Sequence, residues 1–231
     1  MKRIIIHRAD LSNCSSAKGL VVSIDVLRAF TTAAYMFNAG VKEIILVSSV
    51  NEAFDLRNEM PDCLVSGEVN GIQVQGFDLS NSPSEILEKD LAGKRIIQRT
   101  TAGTQGVVLA TKADTILTSA FCNLSATARY IEQLSPPKIT LVQTGLFPSE
   151  GWGDEDVACA DALEAKLLGH EVDWALMNQR VRASHSGHHY DGKNDAFPPI
   201  DLDLAMRIDC FDFAMLVERK NDLFVMHPLT C

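Results

Sequence analysis

Short apolar, β-branched runs alternate with helix-patterned segments through the first 170 residues, and turn residues separate each pair. Residues 4–7, 20–25, 42–47, 63–66, 95–99, 115–118 and 138–143 read as strands. Residues 31–39, 50–60, 84–91, 104–111, 124–134 and 155–168 read as helices. This order predicts parallel pairing through right-handed crossovers. The expected fold is α/β, a three-layer α/β/α arrangement on a mostly parallel sheet. The beat fades after residue 170. Residues 182–199 carry loop chemistry, 203–213 read as a helix, and 223–226 as a last strand ahead of Pro228. A main domain over residues 1–170 is expected to carry the site. A looser C-terminal α+β portion over 171–231 is expected to pack on it.

Charge and hydropathy remove whole classes of function. Thirty acidic against 21 basic residues leave a formal net charge of -9. A general affinity for nucleic acid needs a basic surface, so none is expected. The longest apolar runs, at 4–6, 20–22 and 44–47, fall far short of the ~20 residues of a membrane helix. His7, Arg8 and Asp10 follow the basic start too soon for a signal peptide. A soluble, cytoplasmic protein is expected. The six cysteines never fall as Cys-x-x-Cys, so they read as small buried hydrophobes rather than a zinc or redox site.

Four strand-to-helix connections carry the chemistry. In the first, an apolar strand delivers Asp25 at its carboxyl end, and Arg28, Thr31 and Thr32 follow at a helix entry. Strand carboxyl ends are where α/β sheets bind ligands. Asp25 there can hold a metal or cap the helix, and Arg28 with the threonines suits an anion. In the second, Arg99-Thr100-Thr101-Ala102-Gly103-Thr104 again links strand to helix. It works as a phosphate cradle or as a tight capped turn. The third is a long loop bearing Glu68, Asp78, Asn81 and Ser82. Its oxygen ligands suit Mg²⁺. The fourth is Asp154-Glu155-Asp156 at a helix start, where the macrodipole favours carboxylates. Glu155 or Asp156 can instead complete a metal site. Together these place a cation held by carboxylates beside an anion held by Arg28, Arg99 and threonines. His185, His188 and His189 have no metal-ligand spacing and read as an exposed loop.

These blocks form a recognisable set: Asp25-Val26-Leu27-Arg28-Ala29-x-Thr31-Thr32-Ala33, Gly76-Phe77-Asp78-Leu79-x-Asn81-Ser82-Pro83, Thr100-Thr101-x-Gly103-Thr104 and Glu155-Asp156. The chain resembles the 2-phosphosulfolactate phosphatase family, closely through about residue 170 and more loosely beyond. The resemblance implies a Mg²⁺-dependent phosphatase that releases phosphate from 2-phospho-3-sulfolactate in coenzyme M biosynthesis, and a homodimer. Its substrate is a small anionic phosphate ester. It implies catalytic roles for Asp25, Arg28 and Asp78. Thr31, Thr32, Asn81, Ser82, Arg99, Thr100, Thr101, Gly103 and Thr104 would bind the phosphate. Asp25, Glu68, Asp78, Glu155 and Asp156 would supply metal ligands. Ala102 stands where the family usually has Asn. That change favours a rival reading, a non-catalytic anion- or metabolite-binding relative.

Overall fold

The structure, a computed structural model, describes residues 4–145 and 153–230. One ten-stranded sheet runs through the molecule. In chain order its strands are β1 (Ile5–Ala9), β2 (Gly19–Ile24), β3 (Glu43–Leu46), β4 (Leu64–Val69), β5 (Ile72–Gln73), β6 (Arg95–Arg99), β7 (Ala113–Ser119), β8 (Lys138–Gln143), β9 (Phe213–Lys220) and β10 (Leu223–Thr230). The helices are α1 (Ala29–Asn38), α2 (Val50–Glu59), α3 (Pro83–Ile86), α4 (Gly103–Val108), α5 (Leu124–Leu134), α6 (Asp154–Leu167), α7 (Trp174–Ala183) and α8 (Pro199–Ala205). The fold is α/β and layered, as the strand–helix beat requires.

Alternation along the strands fixes the layers. Val21, Ile44, Leu46 and Ile96 pack with α1 on one face. Leu20, Val22, Ile24, Ile139 and Leu141 point the other way, onto α5, α6 and α7. Ile45, Val47, Val65 and Ile97 meet α2 on that second face. Strands covered on both sides read as continuous apolar runs, which is why they stand out in the sequence. Every residue of α1 from Ala29 to Phe37 is buried, as expected of a helix apolar all round.

The strand order is β1-β8-β2-β7-β9-β10-β3-β6-β4-β5. β1, β8, β2 and β7 pair in parallel, and so do β3, β6 and β4. Between them sits the antiparallel hairpin β9–β10, joined to β7 on one side and β3 on the other. Three antiparallel ladders in a row make the two parallel blocks run oppositely, so a flat sheet would send their carboxyl ends to opposite edges. Strand twist, ~20–25° per step on average, acts over the six steps from β2 to β4 to turn the two blocks toward a common direction. The carboxyl ends of β2, β6 and β4 thereby converge, and Gln98 Nε2 of β6 donates to the Ala29 carbonyl at 3.3 Å.

The C-terminal region departs most from expectation. Its last two strands lie inside the sheet. β9 was not expected, α7 (Trp174–Ala183) falls mostly on residues given no element and only at its end on the expected loop from 182, and α8 lies at Pro199–Ala205 rather than 203–213. β10 also runs through Pro228. That residue pairs with Met215 of β9, while the ladder to β3 covers only Phe224–Met226. Its missing N–H therefore falls where the strand has one neighbour.

Candidate active site

A cleft of about 470 Å³ opens where the carboxyl ends converge. Asp25, Arg28, Glu68, Asn81, Thr101, Glu155 and Asp156 line it. Four carboxylates from three connections thus share one small space, all of them buried.

Each is oriented by a different backbone feature. Asp25 leaves β2, and its Oδ1 accepts from the Ala29 N–H at 2.9 Å. Its Oδ2 has only a long contact, 3.5 Å, to the Thr144 hydroxyl. Asp156 braces the loops around it: Oδ1 accepts from Val26 N–H at 2.8 Å and Oδ2 from Gly145 N–H at 2.7 Å. Glu68 ties β4 to the turn after β6, accepting from the Thr101 N–H at 2.5 Å and hydroxyl at 2.8 Å, and from Gly71 N–H at 2.6 Å. Among the described residues, Glu155 Oε2 and Asn81 Oδ1 are buried without a hydrogen-bond partner. Asp154, the third acid of its run, turns outward to Arg180.

Burial of so much like charge shows in the acidities. Desolvation, with the neighbouring Glu68 and Glu155 charges, pushes the Asp25 carboxyl up to about 7. Desolvation also raises Glu155, and desolvation with the Asp25 and Glu155 charges raises Asp156. The cluster is short of positive charge. The cation beside it, Arg28, is already paired with the fully buried Asp201 at 2.7 Å.

Other expected site residues lie elsewhere. Asp78 does not reach the cleft: one oxygen pairs with Arg57 at 3.0 Å and the other accepts from Val65 N–H at 2.8 Å. It pins the loop to the outside of β4. Thr31 donates to the Val26 carbonyl at 2.8 Å, as a back-bond within its own helix entry. Thr32 is fully buried on α1 and faces the core. Thr100 and Thr104 tie together the turn that enters α4, each hydroxyl accepting from the other's N–H at 3.0 Å. Ser82 donates to Asp201 Oδ1 at 2.9 Å. Arg99 donates to the Glu68 carbonyl at 2.7 Å. Gly103 contributes by its smallness, letting α4 close on Asp25.

The sequence reading missed the far wall. Ser186, His189, Tyr190 and Phe197 line the cleft, although His185 and His188 are exposed as expected of that loop. The His189 ring lies 5.2 Å from that of Phe197. The available signal was aromatic residues, Tyr190 and Phe197, set within an otherwise polar loop.

Among the described residues no three His, Cys, Asp or Glu side chains converge as a ready-made ligand set. Mg²⁺ does not require one, since it takes one or two carboxylates and fills its octahedron with waters and phosphate oxygens. The hard oxygen donors and the orphaned Glu155 Oε2 fit such an ion.

Comparison with known proteins gives a consistent result. The family model described as 2-phosphosulpholactate phosphatase matches residues 6–196. A relative from Bacillus subtilis (strain 168), named probable 2-phosphosulfolactate phosphatase, is 32% identical over 204 residues, 87% of this chain and 88% of its own. One of the same name from Clostridium perfringens (strain 13 / Type A) is 35% identical over 172 residues, 72% of this chain and 68% of its own. Another, from Synechocystis sp., is 30% identical over 188 residues, 80% and 77% of the two chains.

Proposed function

Because the chain belongs to the 2-phosphosulpholactate phosphatase family, we propose that it is a phosphoric monoester hydrolase that converts 2-phospho-3-sulfolactate to 3-sulfolactate and phosphate with Mg²⁺. The observation that carries this reading is the convergence of Asp25, Glu68, Glu155 and Asp156 on one cleft beside Arg28. Asp25 Oδ2 and Glu155 Oε2 are two cleft carboxylate oxygens without a close partner among the described residues, and they would hold the ion. When bound, it offsets phosphoryl charge and acidifies water. Arg28 meets the phosphoryl oxygens through charge-assisted hydrogen bonds. Hydrolysis forms one P–O bond from water and breaks the ester P–O bond. The water's proton enters the carboxylate cluster and the leaving alkoxide recovers one. Asp25, its pKa pushed up to about 7, exchanges protons near neutrality, coupled to its raised neighbour Glu155.

The reading brings with it a homodimer and a place in coenzyme M biosynthesis, both resting on resemblance to the family. Among the described residues no helix is long and apolar enough to cross a membrane. Phosphate release from 2-phospho-3-sulfolactate, present with Mg²⁺ and abolished by chelator, is the expected result. Binding of the ester with no release under either condition would favour the non-catalytic reading, for which Ala102 in the cleft wall is the supporting feature.

A further inference from the structure

Arg28 carries five N–H donors, and the fold engages several of them before any ligand arrives. Nη1 donates to Asp201 Oδ2 at 2.7 Å and to the Ala196 carbonyl at 2.9 Å. Nη2 donates to the Gly71 carbonyl at 3.2 Å. The Phe197 and Tyr190 rings lie 5.1 and 5.6 Å from the guanidinium carbon. Among the described residues no hydrogen bond engages the Nε–H or the second Nη2–H, and Arg28 lines the cleft. Of these partners Asp201 alone is charged. It is 0% exposed, and its other oxygen accepts from the Ser82 hydroxyl at 2.9 Å and the Ser84 N–H at 3.0 Å. Its position is therefore set by α3 as well as by its own helix, α8. It lies beyond the residues that the family model matches.

We infer that Asp201 is a positioning residue for the phosphoryl site, holding the Arg28 guanidinium in the rotation that turns its remaining donors into the cleft. The inference rests on the phosphatase reading for the meaning of that rotation. The physical need is plain. Arg28 shares the cleft with Asp25 and Glu68. An unrestrained guanidinium would fold onto those carboxylates, whose field favours a cation. Asp201 outcompetes them because Ser82 and Ser84 hold it in place with one oxygen 2.7 Å from Nη1, whereas the Glu68 oxygens are taken by Thr101 and Gly71. Buried ion pairs add little net stability but specify geometry strongly, which is the use made of this one.

The test is a double-mutant cycle on the full chain, read by turnover of 2-phospho-3-sulfolactate with Mg²⁺ and by the affinity for inorganic phosphate. Asp201→Asn should lower kcat about 10- to 100-fold, as loss of a group that orients a site residue commonly does. It should weaken phosphate binding as well. In an Arg28→Ala background the same substitution should change neither quantity further, because Asp201 acts through Arg28. The double variant should also melt above Arg28→Ala alone, since it no longer buries an unpaired carboxylate. Asp203→Asn, on the exposed side of α8, should behave as wild type. If Asp201→Asn does not fold, Ser82→Ala runs the same cycle with the charge pair intact. Wild-type kcat and phosphate affinity in Asp201→Asn, or losses that multiply in the double variant, would overturn the inference. Wild-type protein that does not turn over the ester, yet shows the coupling in phosphate affinity, would overturn the function and leave Asp201 in its role.

Discussion

A β-carbon on Gly103 would lie 2.7 Å from Asp25 Oδ2 and 2.4 Å from the Ala29 methyl carbon. Glycine at this position lets α4 press against the end of β2, and so sets where the Asp25 carboxylate can stand. Gly103→Ala should cost about 1–3 kcal/mol of stability, the usual price of overpacking. It should reduce turnover beyond what the lost stability explains, because one of the two atoms crowded below 3 Å is a proposed ligand oxygen. Kinetics beside thermal melts check this; wild-type values in both would mean that α4 and Asp25 can part freely. Asp25→Asn makes the complementary change. It keeps the shape, and its amide can still accept from Ala29, but it removes a charge that burial disfavours. Turnover should vanish while the melting temperature at pH 7.5 holds or rises. A variant that keeps its rate would return Asp25 to the role of helix cap.

Elements whose pattern is local were legible; elements defined by distant pairing were not. α5 and β8 fall where periodicity places them, because each is bounded by its own turn chemistry. β9 was hidden because its ladder to β7 covers only Met215–Val217. Its end, Glu218-Arg219-Lys220, is exposed and reads as a loop. Nothing local says that β9–β10 inserts between β7 and β3. The site divides in the same way. Asp25, Glu68, Glu155 and Asp156 were expected near one another because each lies near a strand end, and they share the cleft. Asp78 looked equivalent until Arg57 and the Val65 N–H were seen to take its oxygens. Asp201 was invisible: in Pro199-Ile200-Asp201-Leu202-Asp203 it looks like any acid in the first turn of a helix. The hairpin's central position makes a prediction. A chain ending at Cys210 would leave β7 and β3 without their shared neighbours and should show no cooperative unfolding transition. Met226→Ala, at a fully buried residue of β10, should cost about 2–5 kcal/mol. A truncated chain that melts sharply would show instead that the hairpin is an accessory to the sheet.

Across the whole molecule, the buried carboxylates make stability depend on pH in a direction opposite to the common one. Asp25 titrates at about 7 when folded, against 3.8 as its ordinary value. Between those limits the folded chain binds more protons than the unfolded chain, so stability falls as pH rises. Above about 7 the carboxylate is ionised in both states and the penalty levels off. Glu155 and Asp156, also raised by burial, act in the same sense. His189 opposes them weakly, since partial burial lowers its pKa and its contribution grows as pH rises. In chelator, the melting temperature should therefore decline from pH 5 to pH 7.5, and Asp25→Asn should flatten that decline. Mg²⁺ should reverse it, and more strongly at pH 7.5 than at pH 5, because protons and the cation compete for the same oxygens. At 100 times its dissociation constant a ligand adds about 2.7 kcal/mol. For a chain of this size that is roughly 5–10 °C. Differential scanning calorimetry with and without Mg²⁺ at both pH values measures all four states. A melting temperature indifferent to Mg²⁺ at pH 7.5 would remove the cation from the proposal, and one that climbs with pH in chelator would show that burial does not raise the cluster's carboxyls.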